Sequence, residues 1–349
     1  MPRTAPGRVT SFDIAQAAGV SQPTVSRALR GSASVSAATR KRIEDIAREL
    51  NYTVDKHASS LRLQRANTLA LLFFEDPTEG DTLINPFFLS MLGSITRRTA
   101  QKGFDLLISF QQLSGDWHTD YEDSRKADGI ILLGYGDYAL YRPRLEQLRQ
   151  QGTHFVRWGA PSASQDFRAT IGTDNRAGGR MAAEHLIAHG RTRVAFVGDA
   201  SDRYPEFRAR YDGYVDALIA AGLAVDPELQ VDAISLERSG ESAAETLAAR
   251  GASFDAIVAA SDLIAIGVIR ALKAAGIAVP DDVAVTGYDD IPAAAQAVPP
   301  LTTVQQDARL AGEVLVDSLL SRIEEKSFDR QLLPARLVVR GSCGQHTNT

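Results

Sequence analysis

The stretch SFDIAQAAGVSQPTVSRALRG, residues 11–31, contains two short apolar stripes separated by a turn. The first stripe has helical spacing and is followed by Gly19, the residue type that most often ends a helix in the left-handed conformation. Ser21 is placed to cap a second helix, and Pro23 then falls in its first turn, where a missing N–H costs little. The first stripe consists of Ile14, Ala15 and Ala18. The pattern predicts two short helices joined by a tight turn.

The polar residues of the second helix are expected to face away from the protein core. Val25 and Leu29 lie four positions apart and are expected to face a small core. The layout is typical of a helix-turn-helix, whose second helix presents its N-terminal residues to base edges in the major groove of DNA. Arg pairs bidentately with guanine and Gln pairs with adenine, whereas hydroxyl groups commonly contact phosphates. The predicted DNA contacts are Gln22 and Arg27 to bases, Thr24 and Ser26 to phosphates, and Pro23 beside them.

A third helix is predicted over SAATRKRIEDIARELNY, residues 36–52, with Ser36 as its cap. Its apolar residues again recur at helical spacing. Three short helices around one small core make an independent DNA-binding domain, which we place at residues 8–54. The buried stripe of the third helix is expected to be Ile43, Ile46, Ala47 and Leu50.

The residues that follow, TVDKHASSLRLQRANT at 53–68, offer little to bury, and we place a hinge helix and linker at 55–66. Within it, Leu61 stands beside Arg62. An apolar side chain next to basic residues is able to enter the minor groove and separate base steps. The alternative is that Leu61 packs within the protein, and the residues alone leave both interpretations open.

Charge is distributed unevenly along the chain. Residues 1–66 carry eleven Lys or Arg against five Asp or Glu, whereas the remainder carries 27 against 38, and the net charge of the whole is -5. A basic end joined to an acidic body indicates a polyanionic partner for the basic end.

The chain has 349 residues, of which 44% are apolar, so it is long enough to bury a large core in two or three domains. Apolar runs such as LALLFF are the length of a strand and too short to span a bilayer. The first ten residues have no apolar core of a secretion signal, and Cys343 is the single cysteine. We therefore expect a cytoplasmic protein without an internal disulfide.

Beyond the linker, strand-like runs alternate with helix-like segments, a rhythm that predicts parallel sheets with helices on both faces. This part is too long for one core, so two lobes are expected. The runs lie at 68–74, 104–110, 128–134, 153–158, 193–198, 255–260 and 282–288. Ligands of such sheets bind beyond the carboxyl ends of strands. The residues at those ends are Glu75, Asp76, Phe110, Gln111, Tyr135, Trp158, Asp199, Ser261 and Asp289.

Residues 9–62 resemble the DNA-binding head and hinge of the lactose-repressor (LacI) family. The resemblance continues through NPFF, GTDNRAGGRMAAEHLIAHG, RARYDGY, SDLIAIGVIRALKAAGIAVPDDVAVTGYDD and PPLTTVQQD. It implies a transcription regulator that binds a pseudo-palindromic operator as a homodimer, with Leu61 of each hinge helix inserted into the DNA. It also implies a periplasmic-binding-protein-like body at 67–345 whose chain crosses between lobes three times. The implied N-lobe is about 67–168 and 299–326, and the C-lobe about 169–298 and 327–345.

The resemblance further implies a small-molecule effector in the cleft between the lobes. Asp289 and Arg210 match the acidic and basic effector ligands of the family, and such a pair is able to grip vicinal hydroxyls or purine edges. The alternative for this pair is an interlobe salt bridge. The full set implied to bind effector is Phe87, Phe88, Tyr204, Glu206, Arg210, Ser261, Asp289 and Gln306. For one of the two phenylalanines, core packing is the alternative.

Other chemistry finds little support in the residues. His185 and His189 have metal-ligand spacing on a helix, but a third ligand is missing, so packing or capping is expected and no metal or cofactor is predicted. Asp174 is read as a helix cap before Gly178 and Gly179. The sequence contains no nucleophile elbow and no Cys/His pair that would indicate an enzyme. We expect a repressor controlled by a sugar; the alternative is a cytoplasmic small-molecule-binding protein that responds to a nucleobase or a sugar phosphate.

Overall fold

The computed structural model describes residues 9–29, 31–52, 65–74, 84–111, 115–160, 169–326 and 332–344. They form two compact units, the head and the body, which divide between Ala66 and Asn67. Within these ranges, no helix combines the length and the apolar character that crossing a membrane requires.

Among the described residues, the head contains three helices: α1 Ser11–Ala18, α2 Gln22–Leu29 and α3 Ala37–Glu49. The Asp13 carboxylate accepts the Thr10 N–H at 2.7 Å at the start of α1. Gly19 ends that helix with φ 61°, as its position in the sequence predicts. Ser36 accepts the Thr39 N–H at 3.2 Å and caps α3, which confirms the predicted cap. Local signals of capping and termination therefore account for these boundaries.

The core of the head is smaller than expected. Ile14, Val25 and Ile43 are fully buried at its centre. Leu50, predicted to be buried, is 39% exposed because α3 ends at Glu49 and Leu50 already belongs to the turn that follows. The predicted core residues Leu29 and Ile46 are partly buried, and Ala28, which the sequence analysis passed over, is completely buried.

The body consists of two α/β lobes, as predicted, and each lobe is built on a six-stranded sheet. Its helices are α4 Pro86–Gln101, α5 Tyr138–Gln150, α6 Asn175–Ala188, α7 Pro205–Ala220, α8 Glu237–Ala249, α9 Asp262–Ala274, α10 Pro292–Gln296 and α11 Ala308–Ile323. Its strands are β1 Thr68–Phe73, β2 Asp105–Phe110, β3 Gly129–Leu133, β4 Phe155–Trp158, β5 Thr170–Thr173, β6 Val194–Val197, β7 Gln230–Val231, β8 Ala256–Ala259, β9 Ala284–Asp289, β10 Thr302–Gln306, β11 Leu332–Leu333 and β12 Ala335–Val338.

The first lobe has the strand order β11-β5-β4-β3-β1-β2, and the second has β12-β10-β9-β8-β6-β7. Neighbouring strands are parallel, except that β12 runs antiparallel to β10. Leu69 pairs with Gly129 and Leu106 in register at the centre of the first sheet. The central strands β3 and β8 are buried along their whole length, which explains their nearly continuous apolar sequences.

The chain crosses between the lobes at Asp174, Asp307 and Pro334. The lobe boundaries expected near 169, 299 and 327 each lie one strand before the crossing that the structure shows. The reason is that β5 and β11 pair within the first sheet and β10 within the second, and strand pairing cannot be seen in local periodicity. Asp174 and Asp307 each cap the helix that follows, by accepting a backbone N–H at 2.9 Å, and the Asp174 cap was predicted.

Glycines bring α6 and α7 into close contact in the second lobe. A Cβ on Gly179 would lie 2.0 Å from the Arg210 carbonyl oxygen, and one on Gly213 would lie 1.9 Å from that of Arg176. Any larger side chain would therefore push the helices apart. Gly179 on α6 therefore lies directly against the backbone of Arg210 on α7.

Candidate ligand cleft and nucleic-acid interface

Arg210 lies at the base of the cleft between the lobes and is 1% exposed. Its Nε donates to Asn175 Oδ1 at 2.8 Å, and its Nη1 donates to the Ala260 carbonyl at 2.5 Å. Its Nη2 donates to the Tyr135 hydroxyl at 3.0 Å. The Tyr288 ring lies beneath the guanidinium, 3.7 Å from its central carbon to the ring centroid. These contacts hold one cation in a fixed orientation at the cleft.

Asp289 is the last residue of β9 and is also buried. Its Oδ1 accepts from Gln306 Nε2 at 2.7 Å and from the Tyr135 hydroxyl at 3.2 Å, and lies 3.8 Å from Arg210 Nη2. Burial raises the pKa of this carboxyl to about 6, although the charge of Arg210 and the two hydrogen bonds oppose the shift. Its φ of 112° is rare for a residue with a side chain, and such strain is concentrated at functional sites.

Gln306 connects the cleft to the interlobe crossings. It ends β10, one residue before the crossing at Asp307. Its Nε2 donates to Asp289 and also to the Tyr135 hydroxyl at 2.9 Å. Its Oε1 accepts the hydroxyl of Thr173, which precedes the crossing at Asp174. One buried amide therefore contacts both the charged pair and two of the crossing segments.

Aromatic rings cover the first-lobe side of the cleft. Asn85 Oδ1 accepts the Phe87 N–H at 2.9 Å and starts α4, so Phe87 and Phe88 lie in its first turn. Both rings are buried. The Tyr135 ring is parallel to that of Phe87 with centroids 6.4 Å apart, and it meets the edge of Phe88 at 4.8 Å.

A cavity of about 300 Å³ opens beside this cluster. Its volume is at the lower end of the range for small-molecule sites. Phe87, Asp289 and Gln306, all implied by the family resemblance, lie on its wall. The complete lining is Phe87, Ser90, Asp289, Asp290, Ile291, Gln305, Gln306, Asp307 and Ala308.

Three other residues of the predicted effector set make contacts within the protein. Glu206 Oε1 accepts the Ala160 N–H at 2.8 Å, across the cleft. Ser261 caps α9. Tyr204 precedes α7 and stacks on Phe207, with centroids 5.9 Å apart. None of the three lies on the wall of the 300 Å³ cavity.

Direct bonds join the two lobes across the cleft. Asn85 Nδ2 donates to Ser235 Oγ at 3.0 Å, and the Tyr138 N–H donates to the Arg203 carbonyl at 2.7 Å.

Sequence reasoning placed Tyr135 at a strand end but left it out of the effector set. Only the position of Tyr135 directly after a buried strand pointed to it, and that signal is shared by many loop residues.

The polar residues of α2 lie on the head as a candidate nucleic-acid interface. Arg27 and Pro23 are exposed, while Gln22, Thr24 and Ser26 are half-buried. Gln22 Nε2 donates to Ser11 Oγ at 3.2 Å, which ties this side chain to the start of α1. The Thr24 and Ser21 hydroxyls lie 2.8 Å apart. Leu61, the predicted wedge, lies outside the described residues.

The two histidines with metal-ligand spacing make other contacts. His189 Nδ1 lies 2.7 Å from the His185 carbonyl oxygen, and His185 Nε2 lies 3.1 Å from Cys343 Sγ. Partial burial of His185 lowers the pKa of its imidazole. In the described ranges, no cluster of three or more His, Cys, Asp or Glu side chains is arranged to hold a metal ion.

Two family models match the chain. One, described as bacterial regulatory proteins of the lacI family, matches residues 12–55. The other, described as a periplasmic binding protein-like domain, matches residues 183–343. The matches correspond to the head and to a large part of the body.

Several curated proteins are similar over almost the whole chain. The HTH-type transcriptional regulator CelR of Thermobifida fusca is 33% identical over 343 residues, covering 96% of this chain and 98% of that protein. The ribose operon repressor of Escherichia coli (strain K12) is 30% identical over 340 residues, covering 95% and 99%.

Solved structures agree with these relatives. A complex of the transcriptional regulator CelR with cellobiose is 32% identical with a TM-score of 0.70, covering 96% of this chain and all of that one. The lac repressor dimer bound to operator and the anti-inducer ONPF is 25% identical with a TM-score of 0.80, covering 97% and 99%.

Proposed function

This chain belongs to the lacI family of bacterial regulatory proteins, and we propose on that premise that it is a transcriptional repressor that binds operator DNA as a homodimer under the control of a carbohydrate. The effector binds in the interlobe cleft, beside Asp289 and Gln306. Occupation of the cleft changes the relative position of the lobes and thereby the separation of the two heads.

The observation that carries the carbohydrate assignment is the wall of the 300 Å³ cavity. It combines the Asp289 carboxylate and the Gln306 amide with the ring of Phe87. Carboxylate and amide groups bond well to hydroxyls, and an aromatic ring packs against the apolar face of a sugar. The relatives named for ribose and crystallised with cellobiose support the same class of effector.

The head supports sequence-specific DNA binding. Arg27 is exposed on the second helix of the helix-turn-helix, where it is able to reach guanine in the major groove. The curated relatives are transcriptional regulators, and we propose that this chain likewise acts by binding rather than by catalysis. Because its target is the chromosome, we propose that it works in the cytoplasm.

Two half-sites of a palindromic operator require two heads, so the body must dimerise. The edge strand β2 supports a dimer surface on the first lobe. Leu107, Ile108 and Phe110 are each more than one-third exposed there, and Leu89 on the neighbouring α4 is 47% exposed. Exposed apolar side chains concentrated at a sheet edge are typical of a protein interface.

The test is a thermal-shift screen of the purified protein against mono- and disaccharides, sugar phosphates and nucleobases. A ligand at a hundred times its Kd adds about 2.7 kcal/mol to the free energy of unfolding, which raises the melting temperature measurably. We expect one saccharide to stabilise the wild type but not Asp289→Ala.

Asp317→Ala is the matched control, because Asp317 is a carboxylate of α11 whose ion pairs with Arg98 and Lys102 lie outside the cavity wall. This variant should respond to the saccharide as the wild type does. A nucleobase or sugar phosphate as the only stabilising compound would contradict the carbohydrate assignment, and an undiminished response of Asp289→Ala would contradict the site.

A further inference from the structure

The hydroxyl of Tyr135 lies at the centre of the polar cluster. It donates to Asp289 Oδ1 at 3.2 Å and accepts from Arg210 Nη2 at 3.0 Å and from Gln306 Nε2 at 2.9 Å. A phenol has one proton to donate and accepts through its oxygen lone pairs. The site therefore surrounds this hydroxyl with the partners that one alcohol group needs.

These bonds cross the cleft. Tyr135 follows β3 of the first lobe, whereas Arg210 and Asp289 belong to the second lobe, and Gln306 ends a strand of the second sheet. The Tyr135 hydroxyl thus fastens one lobe to the charged pair of the other. Opening the cleft would break all three bonds at once.

The ring of Tyr135 resembles a bound ligand in its packing as well. It stacks on Phe87 and contacts Phe88, as described above, and its centroid is 5.7 Å from that of Phe207. A flat apolar body against aromatic rings, with a hydroxyl directed at a carboxylate and a guanidinium, is the arrangement that a sugar would adopt here.

Tyr135 lies between two glycines, Gly134 and Gly136, that pack closely against Phe74. Gly134 has φ 146°, and a Cβ on it would lie 2.4 Å from the Cβ of Phe74. A Cβ on Gly136 would lie 1.7 Å from an atom of the Phe74 ring. Because glycine has no Cβ, Gly134 and Gly136 accept this close approach of Phe74 on both sides of Tyr135. Tyr135 itself is only half-buried, unlike its three partners.

We propose that Tyr135 is a built-in competitor of the effector: in the ligand-free protein its hydroxyl occupies the position of an effector hydroxyl and latches the lobes together, and the effector displaces it. This inference rests on the proposed function of the cleft. It also restricts the effector, because the group that replaces Tyr135 must donate to Asp289 while it accepts from Arg210 and Gln306. An alcohol does so. A carboxylate or fully ionised phosphate oxygen has no proton to donate and would face the charge of Asp289.

The experiment compares wild type, Tyr135→Phe and Tyr214→Phe. Tyr214 is the matched control, because its buried hydroxyl donates to the Val194 carbonyl at 2.7 Å within the second lobe. Hydrogen–deuterium exchange of the ligand-free proteins reports the latch. Calorimetric titration with cellobiose and with ribose, two probes of different size, reports the competition.

We expect Tyr135→Phe to exchange faster in peptides covering 84–101 and 199–210, on the two sides of the cleft. We also expect it to bind whichever probe the wild type binds about fivefold to tenfold more tightly, because the competing conformation is removed. In Tyr214→Phe, the exchange rate of these peptides and the affinity for either probe should equal those of the wild type.

Unchanged exchange at the cleft in Tyr135→Phe would overturn the proposal whether or not either sugar binds. Weaker binding of a probe to Tyr135→Phe would also overturn it, since Tyr135 would then be a contact of the effector. A third outcome separates the two proposals: neither sugar binds the wild type, but exchange at the cleft rises in Tyr135→Phe alone. This result would support the latch, and it would show that neither cellobiose nor ribose is the effector.

Discussion

At the scale of single residues, the cleft depends on a charged pair that is close but not in direct hydrogen-bond contact. Arg210 Nη2 and Asp289 Oδ1 lie 3.8 Å apart, and both side chains are almost completely buried. Burying two charges is costly unless further hydrogen bonds satisfy them. Here Tyr135 and Gln306 supply those bonds, and both are groups that a ligand hydroxyl is able to replace.

The raised pKa of Asp289 leads to a prediction about pH. Because the folded-state value of about 6 exceeds the ordinary 3.8, the folded protein holds this proton more tightly than the unfolded chain. Protonation of Asp289 therefore stabilises the folded protein fully below about pH 4, and this stabilisation is lost as the pH rises through about 6. Asp289→Asn lacks this proton equilibrium. As the pH rises from 4 to 7, the free energy of unfolding of Asp289→Asn should therefore increase relative to that of the wild type, by an amount on the order of 3 kcal/mol at most.

Denaturant unfolding of both proteins at several pH values measures this difference. Wild type and variant differ only at position 289, so the comparison isolates the effect of that side chain. Parallel stability profiles from pH 4 to pH 7 would show that the pKa of Asp289 is not raised in the folded protein.

At the scale of elements, α2 is the part of the head that distinguishes one DNA sequence from another. Its buried residues Val25 and Ala28 attach it to the core, which leaves Arg27 on the exposed side. The Gln22 side chain is positioned by its hydrogen bond to Ser11 of α1. The helix therefore presents one exposed side chain, Arg27, and one positioned side chain, Gln22, of the types that read bases.

Arg27→Ala should lose about 1–3 kcal/mol of discrimination between operator and unrelated DNA, because a bidentate contact to guanine is removed. Duplexes selected from a random pool with the wild type provide the operator, and fluorescence anisotropy at fixed salt measures both affinities. The control is Arg48→Ala on α3, which removes the same charge from a side chain paired with Asp45. An Arg27→Ala protein that keeps the specificity ratio of the wild type would exclude Arg27 as a base reader.

At the scale of the whole molecule, regulation requires that two copies of the chain act together. The exposed apolar side chains of β2 lie at the edge of the first sheet, where β1 is the neighbouring strand among the described residues. Burial of this edge in a second copy would cover Leu107, Ile108 and Phe110.

Ile108→Asp should convert the dimer into a monomer and weaken operator binding, since it places a charge in the centre of the apolar surface. Sedimentation velocity measures the oligomeric state. Ile219→Asp is the control, because Ile219 is 64% exposed on α7 of the other lobe. If the Ile108→Asp protein remains dimeric, the dimer interface does not include β2.

Much of the fold is predictable because its signals are local. Gly19 and Ser36 mark helix ends through their own backbone and hydroxyl chemistry, and the seven strand-like runs of the body all became strands. The strands that sequence reasoning missed are short, such as β7 with two residues, or polar, such as β10 with the sequence TTVQQ. Short and polar strands owe their existence to neighbours in the sheet rather than to their own residues.

The amino-acid sequence by itself determined the basic three-helix head, the acidic α/β body, and the presence of Arg210 and Asp289 in a cleft through their family motifs. Only the tertiary structure decided which strand joins which sheet, and that Tyr135 of one lobe meets Arg210 of the other, 75 positions away. The physical reason is range: caps, turns and periodicity act over a few residues, whereas strand pairing and cleft contacts depend on residues that the folded chain alone brings together.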